Sequence, residues 1–457
     1  MYPETNKVVR WHFGIALLLF ALQLVFGLLS VIHYVNGDAL SGTLLEFHVV
    51  RTCHINLLVV WLLIGFFGAT YHIVSEESQR ELYSPKLAMI TLAAFVGGGV
   101  AGLVGYIFFH HWQGREFLEL PLYLDVAVVI VVLAFLYNAI MTVWKGQRRT
   151  TVEMVLLLGL VLMALLYFPG NMFFRNEALQ SFYWWWTIHL WVEGVWELIM
   201  GAMLAFMLIK MTGVDREVME KWLYVVVSLT FFTGILGIGH HYYWIGTPNY
   251  WLFVGAFFSA LEPLAFVAMI IYAVYAKQKS RRDHPNGAAM IWTIGCTIMA
   301  FVGIMLGFAQ TLPGINSYTH GTHVTASHGH YAFFGAYAMI NLAFFTYMLP
   351  ILNKIEAEEW KQSRSVASFW IMVLSMIGLS TAVMVAGIVQ TVYERVNGIP
   401  YITVQEHGTM QLSYQLWLVF GLCFTAGALL FIYDFFAPQK VSAEEAASAK
   451  VATAAGG

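Results

Sequence analysis

The sequence predicts an all-α integral membrane protein, a single bundle of twelve transmembrane helices with both termini in the cytoplasm. Three observations carry this. Of the 457 residues, 60% are hydrophobic and 11% charged, and the mean hydropathy is +0.70, a balance outside the range of soluble domains. Apolar runs of about 20 residues, the length that crosses a bilayer, follow one another almost end to end. Lysine and arginine divide unequally between the two sides those runs define. Only Arg51, Arg115, Arg175 and Arg395 of the 23 fall on the odd-numbered connections. Basic residues concentrate on the cytoplasmic side, which puts the N-terminus, the even connections and the C-terminus there. The net charge of −3 decides nothing by itself.

The spans fall near 12–35, 50–74, 86–109, 121–143, 152–170, 183–212, 220–245, 250–276, 287–312, 324–351, 366–394 and 410–436. The first is long enough to cross and has no small-residue cleavage site after it, so it is expected to be a retained helix and not a signal peptide. Cys53, Cys296 and Cys423 all lie inside apolar runs, with no CxxC or CxxCH. That excludes a disulfide framework, a thiolate metal site and covalently attached haem; three buried small hydrophobes are expected. Residues 441–457 are small and polar and are expected to form a disordered cytoplasmic tail, leaving 1–440 as one domain.

Against this apolar background the sixth span, 188-IHLWVEGVWELIMGAM-203, stands out. His189, Glu193 and Glu197 are four residues apart and so share one stripe of a helix. A charged acid at the bilayer centre costs about 2.5–3.5 kcal/mol even on a lenient scale. Polar groups recur at the same depth elsewhere. His54 lies early in the second span, 240-HH-241 late in the seventh and 328-HGH-330 early in the tenth. Given the directions of these spans, six histidines on four helices fall in one layer in the outer half of the membrane. A lone intramembrane histidine is ordinarily a hydrogen-bonded core residue; a layer of six points to metal.

Neutral imidazole binds iron and copper, and haem iron takes axial histidine. His328 and His330 are about 200° apart around a helix of 3.6 residues per turn. One helix can therefore ligate two haems, one on each flank. His54 could be the second axial ligand of one of them, leaving His189, His240 and His241 for a further metal.

This pattern resembles the haem–copper oxidase superfamily, and within it the large catalytic subunits of cytochrome c-dependent nitric oxide reductases. The strings that carry the resemblance are 189-HLWVEGVWELIMGAMLAF-206, 214-VDREVMEKWLY-224, 239-GHHYYWIGTP-248, 259-SALEPL-264, 319-THGTHVTASHGHYAFFGAYAMI-340 and 114-GREFLE-119. The resemblance covers almost the whole chain. It implies that His54 and His330 are axial ligands of a low-spin haem b. His328 would be the proximal ligand of a high-spin haem b3, and His189, His240 and His241 would hold a second metal facing it. Oxygen-reducing relatives place copper there, with a tyrosine often four residues after the first of these histidines. Here that position is Glu193. A hard carboxylate oxygen added to three imidazoles suits non-haem iron better than Cu(I).

The reaction so implied is 2 NO + 2 e⁻ + 2 H⁺ → N₂O + H₂O, which holds two nitrogen oxides close enough to couple and needs no phenol. Glu197 and Glu262 match family positions near the metals and are expected to relay protons or tune the iron. Glu116 resembles a calcium ligand and Arg51 a partner for haem propionates; read alone, they are a loop acid and an interfacial arginine. The aromatic run 183-YWWW-186 reads first as an interfacial belt. His110, His111, His320 and His323 are expected on the outer surface without metal.

Without a CxxCH or a soluble N-terminal extension, the resemblance implies a separate membrane-anchored cytochrome c subunit in a heterodimer, supplied by a soluble periplasmic donor. No nucleic-acid partner is expected. The expected location is the bacterial inner membrane, with the metals toward the periplasm. Few acids or lysines lie in the cytoplasmic halves, so electrons and protons are expected from outside, without pumping. Two other readings compete: an oxygen-reducing terminal oxidase, and a twelve-helix secondary transporter with buried His and Glu at its substrate site.

Overall fold

The computed structural model describes residues 2–279 and 284–441. It is all-helical, as a lipid-immersed chain must be if every backbone N–H and C=O is to find a partner within its own segment. Among the described residues, eleven helices are long and apolar enough to cross a membrane. They are α1 (Pro3–Val35), α2 (Phe47–Glu77), α3 (Pro85–Phe109), α4 (Leu122–Trp144), α5 (Thr151–Gly170), α6 (Glu177–Thr212), α7 (Arg216–Tyr242), α10 (Gly287–Thr311), α11 (His323–Asn353), α12 (Ser363–Val396) and α13 (Gly408–Phe436). The eighth expected span, 250–276, is broken into α8 (Tyr250–Ser259) and α9 (Glu262–Gln278). The reason is local: Pro263 enters the first turn of α9, and without an N–H it cannot bond the Ser259 carbonyl four residues back.

Polar residues mark the helix starts. Ser84, Asn176, Asp215 and Asn286 each accept a first-turn N–H. Thr150 and Glu153 form a reciprocal capping box at α5. Gly213, at φ 64°, closes α6.

The bundle has an inside and an outside. In α2, α6 and α11, 83% of the most apolar window is buried within the protein, against 28% in α3. These three inner helices carry His54, His189 and His328. Of the cysteines, Cys53 and Cys296 are buried as expected, but Cys423 is exposed on an outward face of α13, where a small apolar side chain meets no packing demand. The expected tail lies outside the described residues except for Val441, whose N–H bonds Glu359 O at 2.8 Å. The basic residues Arg281, Arg282 and Lys450 used in the orientation also lie outside them.

Candidate metal centre

α6 is not a continuous α-helix. Over Trp191–Val195 it widens to a π turn, and Glu193 takes φ −100° and ψ 21°. Such bulges cost helical regularity and recur at functional sites. α7 also changes form at its end, tightening to a 3₁₀ turn over Ile238–Tyr242 that carries His240 and His241. That turn is pressed against α8 by direct backbone contact: a Cβ on Gly255 would lie 2.4 Å from the His240 nitrogen.

These distortions bring four side chains together. Ligand atoms of His189, Glu193, His240 and His241 all lie within 4.8 Å of one another. Glu193 is the hub. Its Oε2 is 3.2 Å from His189 Nδ1 and 3.5 Å from His240 Nε2, and its Oε1 is 3.6 Å from His241 Nε2.

The proton positions follow from the outer partners. His189 Nε2 contacts the Gly234 carbonyl at 2.7 Å; a carbonyl only accepts, so that nitrogen carries the proton and Nδ1 is left with a lone pair. His240 Nδ1 is 2.8 Å from Ser259 Oγ, and Ser259 donates onward to Gly237 O. His240 Nε2 is therefore the free nitrogen. His189 Nδ1 and His241 Nε2 are buried without a hydrogen-bond partner. Trp185 lies flat on His241, with centroids 4.9 Å apart and planes 11° apart. Two lone-pair nitrogens, the unpartnered His241 Nε2 and a carboxylate converge on one point. Such a set is self-repelling until a cation occupies it, so these residues fit a metal.

The remaining histidines fit haem by the same test. Nδ1 donates to Gln23 O from His54, to Gly303 O from His328 and to Ala326 O from His330, at 2.9, 2.9 and 2.7 Å. His328 and His330 thereby keep Nε2 for an axial bond; at His54 the Gln23 side-chain amide lies 3.3 Å from Nε2, a contact that an axial bond would replace. All three lie deep in the bundle yet remain only half-buried, as side chains facing an internal space do. Gly27 and Gly307 back His54 and His328 so closely that a Cβ would lie 2.7 and 2.6 Å from the rings. His328 rests against α10, whereas His330 meets Trp417 of α13 edge-on at 5.8 Å, so the two face different flanks.

Glu197 and Glu262 are both buried. Thr230 donates to Glu197 at 3.4 Å, and the α8–α9 break turns Glu262 inward. Both acids lie within electrostatic range of Glu193. Arg51 and Glu116, assigned separately from sequence, form an ion pair with each other. His323 departs from expectation: it is 7% exposed and bonds Gln390 at 2.7 Å, because α12 packs over it. The YWWW run is more than an interfacial belt, since Trp184 also donates to Glu116 O at 2.9 Å. The groups that sequence reading misses are mostly backbone carbonyls, which leave no residue-type signal. Ser259 could have been found from its place three residues before Glu262.

Residues 7–428 match the family described as Cytochrome C and Quinol oxidase polypeptide I. The chain is 45% identical, over 94% of its length and 94% of the relative's, to a nitric oxide reductase subunit of Stutzerimonas stutzeri. A solved haem–copper terminal oxidase dimer superposes with a TM-score of 0.72 at 16% identity, covering 95% of this chain and 84% of that one; at that identity it speaks for the fold. The chain belongs to the haem–copper oxidase family, multi-pass membrane proteins that carry haem and a metal centre.

Proposed function

We propose that this chain is the catalytic subunit of a nitric oxide reductase, converting 2 NO, two electrons and two protons to N₂O and water. The observation that carries the reading is the carboxylate hub. Glu193 supplies a hard oxygen among three imidazoles, a donor set for non-haem iron over Cu(I). The relative named for nitric oxide reduction supports it.

In this reading His54 and His330 hold a low-spin haem b, His328 holds a high-spin haem b3, and His189, His240, His241 and Glu193 hold the iron. When bound, the low-spin haem would pass on electrons delivered from outside the chain, and the other two groups would offer the positions at which NO binds and couples. The chain's own part is to fix the ligands and manage protons. Gly234 O and Ser259 orient two of the imidazoles. Glu197 and Glu262, buried beside the hub, hold protons for transfer to the product oxygen. Arg51 would meet haem propionates and Glu116 would offer an oxygen to calcium; their mutual contact supports a shared site.

The reading extends to twelve spans, counting α8 and α9 as one, with cytoplasmic termini and the metals in the periplasmic half of an inner membrane. A membrane-anchored cytochrome c subunit would deliver electrons from a soluble donor, without proton pumping; proton uptake from the cytoplasmic side of oriented vesicles would refute the last point. The decisive measurement is iron, copper and haem on the purified complex. Iron in excess of haem with no copper is expected. Copper in place of the excess iron would favour an oxygen-reducing oxidase, and a colourless protein a transporter.

A further inference from the structure

Glu193 sits where α6 departs from α-helical geometry, and that departure has to be held in place. In an α-helix the Trp196 N–H would bond the carbonyl four residues back, Val192 O. Here it bonds Trp191 O. A carbonyl inside an apolar bundle needs a donor, and one comes from another helix: the Tyr337 hydroxyl donates to Val192 O. Tyr337 is 3% exposed, and its ring stands edge-on to Trp196 at 5.2 Å and 89°. It lies in a second π turn, Phe333–Ala338 of α11, so the two widened turns face each other. On the opposite side, Gly234 backs the bulge, and a Cβ there would lie 2.9 Å from the Glu193 carbonyl oxygen. The peptide units on both sides of the Glu193 Cα are thus held from outside α6, one by α11 and one by α7.

We propose that Tyr337 is a positioning residue for the metal centre: by holding the Val192 carbonyl that the bulge deprives of its helical donor, it fixes Glu193 in the conformation that aims its carboxylate at His189, His240 and His241. The proposal rests on the reading of those four residues as metal ligands. It also assigns the phenol a structural role. Its proton is committed to a backbone oxygen, so Tyr337 does not stand in for the tyrosine that oxygen-reducing relatives carry four residues after the histidine of α6.

The test is Tyr337→Phe in the intact complex, beside the wild type. Haem content and the low-spin haem spectrum should be unchanged. Non-haem iron should be lost to a chelator at about ten-fold lower concentration, the usual effect of removing an outer partner. Added ferrous iron should restore iron content and NO reduction together. A wild type without non-haem iron would refute the metal reading itself. A wild type with iron beside a variant that keeps it equally well would overturn only the role of Tyr337, as would a variant that keeps its iron but loses activity. If Tyr337→Phe fails to assemble, 4-methylphenylalanine and 4-aminophenylalanine at this position fill the same volume without and with a donor. Iron retention in the amino form alone is expected; equal retention in both would overturn the proposal.

Discussion

Two glutamates inside the bundle, one at the end of a helix and one midway along another, are treated in opposite ways. Glu77, at the end of α2, has no exposed side-chain surface, and its carboxylate is filled by the protein. Arg216 reaches both oxygens, at 2.7 and 2.9 Å, and Arg148 adds a contact at 3.2 Å. Arg148 comes from the α4–α5 connection and Arg216 from the first turn of α7, so one buried acid ties both to α2. Glu193 has three imidazole nitrogens within 3.6 Å, and for His189 and His240 the proton is turned away onto an outer partner. An acid given its counter-charges by the chain is a strut. An acid surrounded by acceptors fits a cation.

The contrast can be broken at either end. The largest effect is expected from Glu193→Ala. It should remove the hub and lower NO reduction by more than the 10–100-fold typical of an outer partner, while the low-spin haem band remains. Full activity would take Glu193 out of the site. Glu77→Ala leaves two arginines facing a vacated pocket. It should lower stability by about 2 kcal/mol, the scale for losing hydrogen bonds to a charged group when the arginines themselves stay partly exposed, seen as an earlier thermal transition with unchanged metal content; lost iron would erase the distinction between strut and ligand. Ser259→Ala should have the smallest effect. Without the hydroxyl, His240 loses its orientation, and iron retention under chelator should weaken by about ten-fold with no change in haem. Unaltered retention would show that backbone packing alone fixes His240.

Much of the site is legible in the sequence because its chemistry is costly in lipid. A layer of histidines and acids at one depth in apolar helices is costly, so His54, His189, Glu193, His240, His241, His328 and His330 stand out by type and depth, whereas a single buried histidine such as His12, bonded to Val8 O, does not. Their exact geometry cannot. Regular four-residue spacing places His189, Glu193 and Glu197 on one stripe, whereas the bulge at Glu193 makes the site by departing from that spacing. The HH pair likewise lies on a 3₁₀ turn. The broken eighth span reads as one apolar run because hydropathy does not register a missing N–H. His323 reads as a surface residue because its depth depends on α12, which is remote in sequence.

Residue chemistry and order along the chain determined the membrane class, the order of all the spans but the broken eighth and the residue types gathered at the centre, since each follows from transfer cost and the reach of a single helix. Tertiary structure decided which imidazole nitrogen is free, where α6 and α7 leave regular geometry, and that Arg51 meets Glu116. Those outcomes depend on carbonyls and side chains supplied by other helices: Gly234 O, Ser259 and the Tyr337 hydroxyl. No local pattern encodes a partner that arrives from across the bundle.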